Sequence, residues 1–222
     1  MYTGLGQARR QALARASRGN VAALAADLEA AAGHFREALR LFEQLADEEG
    51  VATTQNNLAR TLGMAGERDA AEQLLRESGT RFARLGEPLG QATVQANLGS
   101  LRLSAGEAAA AEQELEAALG RLAGPGQDRQ RASILVDLGS ALLRQGRGEG
   151  LARLSEAVAL AERTRSSAVL GQVTGAAAAV LAAAGYLSQT STILEDVRAR
   201  LIGPDGDSVK DSLARLAEAV PR

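Results

Sequence analysis

An all-α fold, made of helix pairs that repeat along the chain, is predicted by three features of the sequence. Hydrophobic residues make up 45% of the chain but aromatic ones only 2%, and Trp is absent. Ala and Leu must therefore build the core; both are strong helix formers, and strand-favouring residues are too scarce for a sheet. The chain also repeats itself: residues 51–90 laid over residues 91–130 without a gap agree at 16 of 40 positions. Finally, Gly33, Gly66, Gly106, Gly146 and Gly185 lie 33, 40, 40 and 39 residues apart, each between two segments with apolar residues at helical spacing.

The physical reading of one unit is a helix, a tight turn at glycine and a second helix running back, because glycine tolerates the positive φ found at helix C-termini. One such pair cannot bury its apolar face alone, so neighbours stack and share a continuous core. In chain order the reading is as follows. A first helix precedes Asn20; its segment carries Arg9, Arg10, Arg15 and Arg18, lacks acidic residues up to Asp27, and reads as a basic helix rather than a targeting sequence. The first repeat, near 20–48, turns at Gly33 and continues through Ala38, Leu41, Phe42 and Leu45. The second, near 49–86, places Thr54, Leu58 and Thr61 before the turn and Ala71, Leu74, Leu75 and Ser78 after it. The third, near 89–123, has Val94, Leu98 and Leu101, then Ala111, Leu115, Ala118 and Leu119. The fourth and fifth run near 128–164 and 167–202, and a capping helix covers 207–220. Gly86 with Pro88, Gly124-Pro125-Gly126 and Gly203-Pro204 separate the units. The whole of 1–222 is thus expected to be a single helical repeat domain of about 12 helices.

Asn57-Leu58-Ala59, Gly66, Ala71 and Leu75 form a pattern that returns as Asn97-Leu98-Gly99, Gly106, Ala111 and Leu115. A third copy keeps Leu138-Gly139 and Gly146 but has Leu151 in place of the small residue. This pattern resembles the tetratricopeptide repeat, strongly over 51–160 and weakly over the rest of 20–201. The long period resembles the arrays of kinesin light chains and receptor-coupled polarity scaffolds. The resemblance implies a right-handed α-α superhelix, a TPR-like solenoid of about five helix pairs plus terminal helices.

It also implies a function. The first helix of each pair in this family lines a concave groove in which asparagines grip the backbone of a partner peptide. That role falls on Asn57 and Asn97, with Asp137 in the third copy. A carboxylate accepts hydrogen bonds without donating, so Asp137 suits peptide N–H groups or a cation. The same faces present Thr53, Asn56 and Arg60, then Thr93, Ala96 and Ser100, then Ser133, Ser140 and Arg144. The expectation is a scaffold for a protein or peptide partner. A structural or self-associating module, or the sensor array of a bacterial regulator, is the alternative. Gly175 to Leu181 is apolar on all sides, so this helix is expected to pack under the C-terminal helix or, in a homo-oligomer formed through the apolar C-terminal helices, against a second copy of the chain.

Composition bounds the other functions. The net charge of −2 lacks the basic excess of a nucleic-acid binder, and no apolar run reaches the roughly 20 residues of a membrane span. There is no cysteine for disulfides, thiolate catalysis or thiolate metal sites. His34 is alone and reads as a helix-start residue; Asp47-Glu48-Glu49 and the pair Asp205 and Asp207 lack the EF-hand spacing. The glycine-rich Gly146-Arg147-Gly148 has neither a preceding strand nor a P-loop lysine. No catalytic role and no cofactor are expected. Lys210 is the only lysine, an arginine bias that fits a GC-rich bacterial genome, and a cytoplasmic location is expected.

Overall fold

The computed structural model describes residues 2–122, 124 and 126–185. These form nine α-helices and, among the described residues, no strand: α1 (Tyr2–Leu24), α2 (Leu28–Gln44), α3 (Glu48–Met64), α4 (Arg68–Leu85), α5 (Pro88–Ser104), α6 (Ala108–Arg121), α7 (Asp128–Arg144), α8 (Glu149–Arg163) and α9 (Ser167–Ala183). The second helix of the fifth expected repeat and the capping helix over 207–220 lie outside the described residues.

The turns explain the period. At Gly66 (φ 86°) the chain enters the left-handed region, so that Glu67 N–H donates to the Leu62 carbonyl and Gly66 N–H to Gly63. These two bonds satisfy carbonyls that the end of α3 leaves open. Gly106 and Gly146 repeat the arrangement at φ 79° and 73°. In the first pair the same conformation falls on Ala26 (φ 59°), 40 residues before Gly66, and Asp27 N–H donates to the Ala22 carbonyl. The turn expected at Gly33 is therefore not there. Gly33 lies inside α2, α1 runs on past Asn20 to Leu24, and His34 is a mid-helix residue. The register is 40 from the first pair onward, but an alanine stands where the glycine is looked for. Asp27 supports that alanine: its side chain accepts from Ala30 N–H at 3.0 Å and caps α2. Ala46 and Asp47 repeat the device before α3, with Asp47 accepting from Gly50 N–H at 2.9 Å.

The chain divides into two compact units, Met1–Leu101 and Arg102–Arg222. In the first, α1 packs on α2, α2 on α3 and α3 on α4. Its three phenylalanines, the only ones in the sequence, each lie on a glycine of another helix: Phe35 on Gly19, Phe42 on Gly50 and Phe82 on Gly90. Missing Cβ atoms let the rings sit against backbone, so these rings supply area that an Ala-rich core lacks. A Cβ at Gly19 would stand 2.7 Å from the Phe35 ring. Ala31, Phe35, Leu58, Leu62, Ala71 and Leu75 belong to one continuous cluster. Ser78 is fully buried, and its Oγ donates to the Ala52 carbonyl at 2.8 Å, joining α4 to α3.

In the second unit α7 is central, packing on α6, α8 and α9. Leu135, Leu138, Leu151, Leu154 and Val158 are almost wholly buried there. Leu151, which departs from the small residue of the other copies, fits because α7 and α8 meet backbone to backbone at Gly139 and Gly150. A Cβ at Gly150 would stand 2.6 Å from the Gly139 carbonyl oxygen.

Candidate binding surfaces on the first-type helices

In the first unit the expected binding positions fall on α3 and α5. Thr53 and Thr93 are exposed and Asn57 and Asn97 half-buried, at equivalent points of successive copies. Asn56 is only 5% exposed. The Asn97 Nδ2 donates to the Asn56 Oδ1 at 2.9 Å, linking α5 to α3. One of the two asparagines expected to grip a partner thus also ties consecutive copies together. Three positions bond within their own helices: Thr93 Oγ1 donates to the Leu89 carbonyl, Ser100 Oγ to the Ala96 carbonyl, and an Arg60 Nη1 lies 3.8 Å from the Met64 sulfur.

In the second unit the expected positions fall on α7. Ser133 is exposed, Asp137 half-buried, and Ser140 buried at 9% exposure. Arg144 turns away to donate from Nη1 to the Leu103 carbonyl at 2.7 Å. That carbonyl is at the C-terminus of α5, where it also accepts from Gly106 N–H and where the helix dipole favours an arginine.

Ser133 and Asp137 line a groove between α7 and α9 of about 340 Å³. Val136, Val169 and Val173 form its apolar floor, and Arg129, Gln130 and Gln172 stand with Ser133 and Asp137 on its polar rim. On α7 the lining residues 129, 133, 136 and 137 share one helical face, and on α9 so do 169, 172, 173 and 176. The α9 contribution is not evident from sequence. That helix looks apolar on every side, yet Val169, Val173, Ala177 and Leu181 are buried while Gly175, Ala176 and Ala179 stay exposed. A 39-residue shift from Ser133 to Gln172 and from Asp137 to Ala176 was the signal available for it.

Outside these surfaces, two groups of ion pairs join separate elements. Glu112 on α6 accepts from Gln145 Nε2 at 2.9 Å and from Arg147 Nη1 at 2.6 Å. These bonds, the Gln145 amide first, hold its carboxyl below the usual range, and the Arg147 guanidinium is correspondingly raised by Glu112. Burial tends to raise the Asp47 carboxyl, but the Arg9 hydrogen bond, the Gly50 N–H and the Arg9 charge together lower it. The hydrogen bond to Asp47 and its charge raise Arg9 in turn. Among the described residues no group of three or more His, Cys, Asp or Glu side chains gathers as a metal site, and no helix is long and apolar enough to cross a membrane.

No protein-family model matches the chain. No curated protein matches it. Solved structures do. BtubC (BKLC) from P. vanneervenii is 18% identical, with a TM-score of 0.60 over 92% of this chain and 93% of that one. A Podosopora anserina protein, named as a kinesin light chain with nearly identical TPR-like repeats, is also 18% identical. Its TM-score is 0.62 over 86% of this chain and 94% of the other. At such identity the likeness is one of fold: the chain is an all-α, TPR-like helical repeat protein.

Proposed function

We propose that the chain is a protein-interaction scaffold, and that the first-type helices carry its binding surface. The observation behind this reading is the groove between α7 and α9, with a floor of three valines and a rim of exposed polar groups. An apolar floor with a few convergent polar groups is the usual chemistry of a binding pocket. At about 340 Å³ the groove has room for one or two side chains of an extended peptide, while the rim amides, hydroxyl and charges meet its backbone. Hydrogen bonds net only about 0.5–1.5 kcal/mol each, so burial on the valines must supply much of the roughly 8 kcal/mol of a micromolar complex. On α3, Thr53 and Asn57 offer a comparable polar face.

The test is affinity capture with the full chain as bait, comparing wild type with Ser133→Arg/Gln172→Arg, which crowds the rim with exposed side chains. Partners recovered by wild type are expected to be lost by the variant at unchanged helicity. Equal recovery by both would sink the groove reading.

A further inference from the structure

A second surface lies on the first helix pair and has no part in the groove reading. Between α1 and α2 is an open groove of about 610 Å³, lined by Gln11, Arg15 and Arg18 from α1 and by Glu37, Arg40 and Gln44 from α2. Three arginines face one glutamate. Arg15 is already engaged, its Nε 3.1 Å from the Glu37 carboxylate. Arg18 and Arg40 have no acidic partner among the described residues, and both are exposed. Around them the local field is positive, since α1 has four arginines and no acidic residue. Other arginines of the chain, whose net charge is −2, do pair across elements, as in Arg9 with Asp47, Arg81 with Glu48 and Arg147 with Glu112.

The 40-residue register shows what has changed at this face. Gln11, Ala14, Arg15 and Arg18 stand where α3 has Val51, Thr54, Gln55 and Leu58, all of them buried at 1–4% exposure. At Gly50 and Gly90 the preceding helix lays a phenylalanine on the backbone, whereas the equivalent residue of α1 is Arg10. A ring cannot lie on Arg10 as it does on those glycines. The face retains an apolar margin: Val21, one turn beyond Arg18, is 67% exposed.

We infer that this groove binds an acidic peptide segment of a partner protein, with carboxylates forked by Arg18 and Arg40 and an apolar residue against Val21. Guanidinium groups favour carboxylates because their paired N–H donors match the two oxygens. The Arg15–Glu37 pair holds the groove wall in place and adds no net charge to repel the ligand. Such a surface is strongly salt-dependent, because both arginines are exposed.

The test is fluorescence anisotropy with the full chain and a labelled peptide of alternating glutamate and leucine, at low and high salt. Wild type is expected to bind at low salt, and Arg18→Glu/Arg40→Glu to weaken binding by about tenfold or more. A control of equal charge change outside both grooves, Arg84→Glu/Arg165→Glu, is expected to bind like wild type. Circular dichroism checks folding of each variant, and Arg18→Gln/Arg40→Gln repeats the test without adding negative charge. Equal losses in the two charge-reversal pairs would reduce the effect to net charge and overturn the proposal. So would loss in the control alone, an absence of peptide binding to wild type, or sedimentation with phosphatidylserine vesicles in place of peptide binding.

Discussion

The Asn97 side-chain amide donates to the Asn56 side-chain oxygen at 2.9 Å, joining the first helices of two successive copies. The bond is half-buried and gives Asn97 a structural duty beside any contact with a partner. A double-mutant cycle on Asn56→Ala and Asn97→Ala, read by urea denaturation, is expected to show a coupling of about 0.5–1.5 kcal/mol. Independent losses would mean the pair is not formed in solution. Binding studies on this face are cleaner with Asn57→Ala, whose amide makes no such link.

The turn register can be checked by exchanging glycine and alanine. Gly33 lies within α2, and a Cβ added there meets nothing within 4 Å. Gly33→Ala is therefore expected to stabilise the protein by about 0.5–1 kcal/mol, as for any helix interior. Gly66→Ala is expected to destabilise it by about 1 kcal/mol, and Ala26→Gly to stabilise it by about as much, because both positions need a positive φ. Thermal or chemical denaturation decides; a destabilising Gly33→Ala would restore the turn to that position.

The Phe82 ring on Gly90 is expected to make Gly90→Ala costly, by about 1–3 kcal/mol, even though alanine is the better helix former. Phe82→Leu made in the same chain should recover part of that loss, since leucine is what Leu122 supplies at the equivalent position of the next copy. Additive losses in the double variant would deny the contact.

The Glu112 carboxyl is held below its ordinary value of 4.5 by Gln145 and Arg147. A lowered folded-state pKa means that the stabilisation is complete above the ordinary value and disappears as pH falls through the folded one. Wild type is therefore expected to lose stability more steeply than Glu112→Gln between about pH 5 and 3, and the two curves to converge at the acid end. Parallel curves across that range would show that the pair contributes nothing measurable, as many exposed pairs do.

The sequence by itself determined the helical class, the 40-residue period and the positions of the central copies. Each of these is written locally: in Leu and Ala at helical spacing, in Gly66, Gly106 and Gly146 at turns, and in residues that match across copies. It misplaced the first turn because a left-handed residue need not be glycine, and Asp27 lets Ala26 take that role by capping the next helix. The tertiary structure alone decided which polar side chains remain available. Asn97 and Arg144 face the expected way in the pattern, yet each finds an acceptor 41 residues away on a neighbouring helix. The valine floor between α7 and α9 likewise exists only once two helices distant in sequence lie side by side. Periodicity reports how a helix meets the core, whereas what its outer face meets depends on the neighbour that packing brings.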